Sequence, residues 1–160
     1  MPVYHFTFHA FGTWLPDRPV GYTPHGEGWK PPSSDSAIQY RRNMQQQAVC
    51  FDATAQQYLI DEAVRAQSFQ RVQMYAVATD STHVHLVVAW TDDREPLAIR
   101  SQLKSSLTRA LNRGFEKRRW FVSKAGSTPV EDEEHLHHLV HDYLPKHERY
   151  WYFRSIPSDG

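Results

Sequence analysis

Two apolar, β-branched runs separated by Asp80-Ser81 constrain this chain more than any other feature. Val72 to Thr79 precedes the turn, and His83 to Trp90 follows it. Both runs suit a pleated, half-buried surface, and Asp and Ser favour a tight turn, so the pair predicts an antiparallel hairpin. Segments of helical spacing flank it. Asp52 or Thr54 can cap a helix running to about Gln70, with Leu59, Ile60, Ala63, Val64 and Ala66 on its apolar face. Glu95 to Gly114 repeats Leu97, Leu103, Leu107, Ala110 and Leu111 at helical spacing, with Gly114 as its stop. Val3 to Trp14 alternates Tyr4, Phe6 and Phe8 with His5, Thr7 and His9, as a strand does. Arg119 to Lys124 reads as a short strand. Glu131 to about Leu144 predicts a last helix, with acids in the first turn where the helix dipole favours them.

The order is strand, helix, strand, strand, helix, strand, then a final helix. This is the β-α-β-β-α-β plan of an α+β, ferredoxin-like (RRM-like) sandwich. It predicts an antiparallel sheet with helices on one face and a C-terminal helix carrying Tyr143. A chain of 160 residues with 40% hydrophobic residues suits one domain spanning 1–160. Leu15 to Ser36 holds five prolines and three glycines, and the whole stretch 17–50 is read as a long loop or insertion. Ser36 to Val49 within it is polar and could be helical. Residues 154–160 are read as a frayed tail.

Lys+Arg and Asp+Glu are both 18, so no global charge points to nucleic acid. Cys50 is the only cysteine, which excludes an intrachain disulfide and suits a reducing cytoplasm. No apolar stretch approaches the length of a membrane span, and Met1-Pro2-Val3-Tyr4-His5 does not read as a signal peptide. A cytoplasmic location without a membrane partner is the expectation.

In a strand, side chains two apart share a face, so His83 and His85 stand side by side. Two neutral imidazoles on a rigid strand form half of a divalent-metal site. Ordinary surface polarity also produces such pairs. Leu136, Leu139, Val140 and Tyr143 make the apolar stripe of the last helix. His135, His137, His138 and His141 then read as its solvated face, or as a separate metal-binding cluster. On a continuous helix Tyr143 and His147 would share the sheet-facing side. If that side reaches the His83 strand, His147 becomes a third ligand and Tyr143 a hydroxyl beside a Lewis acid, the arrangement that attacks a phosphodiester. The alternative is that Tyr143 is a core aromatic with a polar tip. Pro145 breaks the helical pattern between the two, so His147 need not lie below Tyr143.

Four segments in this order resemble the single-tyrosine HUH transposases (IS200-like), in particular the REP-associated tyrosine transposases and their domesticated relatives. They are Phe11-Gly12-Thr13-Trp14-Leu15-Pro16, His83-Val84-His85-Leu86-Val87-Val88, Lys104-Ser105-Ser106-Leu107-Thr108-Arg109-Ala110-Leu111-Asn112 and Trp120-Phe121-Val122-Ser123-Lys124-Ala125-Gly126-Ser127, the last followed by the helix ending in Tyr143. The resemblance implies that His83 and His85 bind Mg²⁺ or Mn²⁺, with His147 at the position of a third ligand. It implies that Tyr143 is the nucleophile and forms a 5′-phosphotyrosine intermediate on single-stranded or hairpin DNA. Thr82 stands where an Asn commonly precedes the HUH motif, and Pro145 departs from the family pattern. Relatives include both monomers and homodimers, so the resemblance leaves the oligomeric state open.

Arg100, Lys104, Arg109, Arg113, Lys117, Arg118 and Arg119 lie within 20 residues, with only Glu116 opposing. Such a cluster can neutralise phosphates on a neutral chain, or simply be a solvated helix face. Arg100, Lys104 and Lys117 fall off the apolar stripe and are expected to face solvent. Trp14, Tyr22 and Trp29 could stack on bases or pin the loop to the core. The competing readings are a hairpin-DNA-binding protein without cleavage, which Pro145 favours, and an unrelated histidine-rich metal-binding protein.

Overall fold

The computed structural model describes residues 1–12 and 48–153. The elements are β1 (Val3–Ala10), α1 (Ala53–Gln70), β2 (Gln73–Thr79), β3 (His83–Ala89), α2 (Pro96–Gly114), β4 (Phe121–Pro129), α3 (Glu133–His138) and β5 (Arg149–Tyr152). Between α3 and β5 the chain makes a wide π-type turn, Leu139–Tyr143, and a tight 3₁₀ turn, Leu144–Lys146. Strand order is β4-β1-β3-β2-β5, and every neighbouring pair is antiparallel. The fold is therefore the expected α+β, ferredoxin-like one, with β5 added at the β2 edge.

The hairpin forms where the sequence places it. Asp80 Oδ1 accepts from the backbone N–H of Thr82 at 2.8 Å and of His83 at 2.9 Å, closing the turn. Asp52 caps α1 by accepting from Ala55 N–H at 2.8 Å. Cross-strand register then sorts the side chains. Phe6 pairs with Leu86 and Phe8 with Val84, while Thr7 pairs with His85 and His9 with His83. The first set faces α1 and α2 and packs with Leu59, Ile99, Leu103 and Leu107 in the main core. On the opposite face, Ala76, Ala78 and Val87 lie under Leu139, Val140 and Leu144. The small side chains of β2 let the C-terminal segment come close to the sheet. Burial on both faces explains why Leu86 to Ala89 reads as an unbroken apolar run rather than an alternation.

Several boundaries differ from the sequence expectation. β1 ends at Ala10 and is followed by a turn, not continued to Trp14. β4 runs to Pro129 instead of Lys124. The last helix is α-helical only over Glu133–His138. The aromatic stretch after Glu148 is a strand: Ala78 pairs with Tyr150 and Val77 with Trp151. Trp14 and the rest of 13–47, including the segment read as possibly helical, lie outside the described residues, as does the tail 154–160. No helix among the described residues is long and apolar enough to cross a membrane.

Gly12 ends the first strand segment at φ +89°, and a Cβ there would lie 2.6 Å from the backbone Cα of Ala48. Val49 N–H donates to Phe11 carbonyl at 2.7 Å, so the close approach is fixed by a backbone bond. Both the left-handed φ and the backbone contact oppose a side chain. Gly12→Ala is expected to destabilise the fold by about 2–4 kcal/mol, read by urea unfolding. A loss under about 0.5 kcal/mol would mean that this junction is not held as described.

Candidate metal centre and its tyrosine

The imidazoles are oriented from behind. His83 Nδ1 lies 3.0 Å from Asp80 Oδ1 and 2.9 Å from Thr82 Oγ1. His85, only 4% exposed, has Nδ1 at 2.9 Å from His5 Nε2 and 3.1 Å from Thr7 Oγ1. His147 Nδ1 lies 3.0 Å from the Leu144 carbonyl. In each ring Nδ1 is engaged, which leaves Nε2 to act. The three side chains offer ligand atoms within 4.8 Å of one another. His85 Nε2 is buried, with no hydrogen-bond partner among the described residues. A buried polar atom left so costs about 1–3 kcal/mol, which a bound cation would recover. Three imidazoles, each with its Nδ1 held by a second group, fit a divalent metal.

His147 reaches this cluster despite Pro145. In the wide turn Leu144 N–H donates to the Leu139 carbonyl, five residues back. Pro145 has no N–H for the Val140 carbonyl at the next step. The hydroxyl of Tyr150 on β5 donates to that carbonyl instead. Burial raises the Tyr150 pKa, which keeps the hydroxyl protonated as a donor. The tight turn then ends at His147 in an extended conformation, φ −77° and ψ 166°. Its ring centre lies 4.5 Å from that of His85 and 5.6 Å from that of His83. Gln56 secures the next residue: it is 2% exposed, donates to Glu148 at 2.8 Å and accepts from Thr79 Oγ1 at 3.0 Å.

The same wide turn corrects the assignment of Tyr143 to the buried stripe. Tyr143 is 39% exposed and Leu144 is fully buried in its stead. More residues per turn over Leu139–Tyr143 rotate Tyr143 off the face that packs on the sheet. Its ring stands 5.3 Å from His147, 5.7 Å from His85 and 6.4 Å from His5, edge-on to each.

Burial pushes the His85 pKa down to about 2, with the neighbouring imidazoles of His5, His83, His147 and His9 adding to the effect. Burial likewise lowers His5 to about 4, helped by His135 and His147. His83 is lowered by burial against the opposing pull of Asp80. These rings are thus neutral, as ligation requires. Below the ordinary histidine pKa of 6.5 the unfolded chain takes up protons that folded His85 and His5 refuse. Stability of the metal-free protein is therefore full above 6.5 and is lost as pH falls from 6.5 toward about 4 and below. The expected slope is about 1.4 kcal/mol per pH unit for each extra proton bound by the unfolded chain. Urea unfolding in chelator from pH 7.5 to 4.5 reads it, and a flat profile would contradict the neutral, buried imidazoles.

The basic residues lie elsewhere. Arg100 donates to the Ala125 carbonyl at 3.2 Å, and Lys104 Nζ to the carbonyls of Val122 at 2.7 Å and Ser123 at 3.3 Å. Both are half-buried against the β4 edge, which corrects the expectation that they face solvent. Burial also lowers the Lys104 pKa, with Arg119 and Arg100 contributing. Arg109 donates to Ser106 Oγ at 3.3 Å, Arg113 lies 3.7 Å from Glu62, and Lys117 is exposed. Since α2 packs on the far face of the sheet, these cations gather at the β4 edge and the end of α2, not around the imidazoles. His137, His138 and His141 are exposed, and the three-histidine group found among the described residues does not include them. His5 was not singled out from sequence; its place in the alternation of β1 was the available signal.

No protein-family model matches the chain, and no curated protein matches it. Among solved structures it is similar to a REP-associated tyrosine transposase bound to a REP hairpin, with 13% sequence identity and a TM-score of 0.50. The match covers 89% of this chain and 64% of the other, so this chain spans less than two thirds of that protein's length. At this identity the likeness is one of fold.

Proposed function

We propose that this protein nicks and rejoins single-stranded DNA at hairpin or repeat sequences, using Tyr143 as nucleophile. The observation that carries the reading is a half-exposed tyrosine ring set against three imidazoles that offer ligand atoms within 4.8 Å of one another. The fold likeness to a transposase bound to a hairpin supports the choice of DNA. His83, His85 and His147 would hold Mg²⁺ or Mn²⁺, which when bound polarises the scissile phosphate. Tyr143 Oη forms a bond to phosphorus and the P–O3′ bond breaks. In net the tyrosine proton goes to the 3′ oxygen, which leaves as a hydroxyl, and a 5′-phosphotyrosine remains. A second 3′-hydroxyl reverses the step and rejoins the strand.

Arg109, Arg113 and Lys117 present charge at the end of α2 and would contact phosphates of the hairpin, as Arg100 and Lys104 would from the β4 edge. Trp14 is kept as a candidate for stacking on a base. Tyr143 stands beside the imidazoles of its own chain, so a homodimer is not required to assemble the site. The second reading, hairpin binding without cleavage, drew on Pro145. The wide turn and the Tyr150 bond accommodate that residue, so cleavage is preferred.

A labelled single-stranded hairpin oligonucleotide incubated with Mn²⁺ and resolved on a denaturing gel tests the proposal. A protein–DNA adduct that chelator prevents is expected. Tight binding without adduct or cleavage supports the second reading, and no binding sinks both.

A further inference from the structure

We propose that His5 is a positioning residue of the metal centre: its Nε2 accepts the Nδ1–H of His85 and so holds His85 in the tautomer whose bare Nε2 can ligate. This rests on the metal reading of the three-histidine cluster. A buried His85 can ligate through Nε2 only if its proton sits on Nδ1, and that proton needs an acceptor. Asp80 serves His83, and the Leu144 carbonyl serves His147. Among the described residues, His85 has neither a carboxylate nor a carbonyl at Nδ1. It has His5 Nε2 at 2.9 Å and Thr7 Oγ1 at 3.1 Å. The imidazole nitrogen is nearer, and its lone pair is a stronger acceptor than a hydroxyl that must also place its own proton. The register of β1 on β3 makes the contact rigid: Thr7 stands directly opposite His85, and His5 opposite Val87, one diagonal step away on the same face. The ring centres of His5 and His85 are 5.1 Å apart, and Tyr143 lies edge-on to both. His5 thus links the first strand to the atom on which the cluster depends.

The tautomer is read directly by long-range ¹H–¹⁵N NMR of the imidazoles in the metal-free wild-type protein. A proton on Nδ1 of His85 and a bare Nε2 on His5 are expected; a proton on Nε2 of His85 would overturn the proposal. Mn²⁺ affinity of His5→Phe, His5→Gln and Thr7→Val gives the second arm, with metal-free thermal unfolding as the folding control. His5→Phe keeps a ring but no acceptor, and is expected to weaken Mn²⁺ binding about 10–100-fold. His5→Gln restores an acceptor oxygen and should recover most of that loss, whereas Thr7→Val should change affinity by less than about threefold. Wild-type affinity in His5→Phe, equal losses in His5→Phe and His5→Gln, or a larger loss in Thr7→Val would each contradict it. Should His5→Phe not fold, the NMR result decides. Neither arm depends on DNA cleavage. A wild-type protein that binds Mn²⁺ yet never nicks overturns the proposed function alone, and one that takes up no Mn²⁺ overturns this inference as well.

Discussion

Tyr143→Phe is expected to abolish the covalent DNA adduct and strand cleavage, by more than about 10³-fold, while Mn²⁺ affinity stays within about twofold. The two halves of the result follow from one geometry. The tyrosine ring packs edge-on to His85 and His147, and phenylalanine keeps those contacts. What it loses is the oxygen proposed to form the bond to phosphorus, and without that nucleophile the proposed reaction would have no first step. Tyr143 is 39% exposed, so removal of its hydroxyl should change stability by less than about 0.5 kcal/mol. Cleavage kinetics and a metal titration on the same preparation check both halves. Retained cleavage would move the nucleophile elsewhere, and a large fall in Mn²⁺ affinity would make Tyr143 part of the metal centre.

His85→Ala should have the opposite signature. It is expected to lower Mn²⁺ affinity by at least about 100-fold and to remove cleavage with it. His85 is the most deeply buried of the three imidazoles, and its Nε2 has no other partner among the described residues. In the metal-free protein two effects oppose each other. The cavity left by the ring destabilises, while loss of a buried, unpaired polar atom stabilises. The net change in metal-free stability should therefore stay below about 2 kcal/mol, far less than a comparable apolar deletion at a site such as Leu86. Isothermal titration and urea unfolding measure the two quantities. Undiminished Mn²⁺ binding would remove His85 from the centre.

The hairpin at Asp80-Ser81, the two main helices and the fold class were legible in the sequence because each element carries its own period, with Asp80 closing the turn and Asp52 capping the first helix. The C-terminal segment was less so. A continuous 3–4 spacing puts Tyr143 on the buried stripe, but the turn over Leu139–Tyr143 widens and Leu144 takes that place. The Val140 carbonyl, which Pro145 cannot serve, accepts from Tyr150, and Tyr150 sits on a strand whose pairing with β2 is a tertiary event. Pro145 looked like an obstacle for the same reason: its local effect is visible in sequence and its remedy is not. That His83 and His85 stand together was readable because residues two apart on one strand share a face. His5 was missed because its relation to His85 exists only once β1 and β3 are in register. Arg100 and Lys104 sat off the apolar stripe as expected, yet both donate to backbone carbonyls of β4.

The central claim is that Tyr143 becomes covalently joined to DNA. Digesting the protein after reaction with a hairpin oligonucleotide and Mn²⁺, then sequencing the nucleotide-bearing peptide by mass spectrometry, measures this directly. A 5′-phosphonucleotide on Tyr143 is expected, absent when chelator is present. An adduct on another residue, or cleavage with no adduct at all, would contradict it.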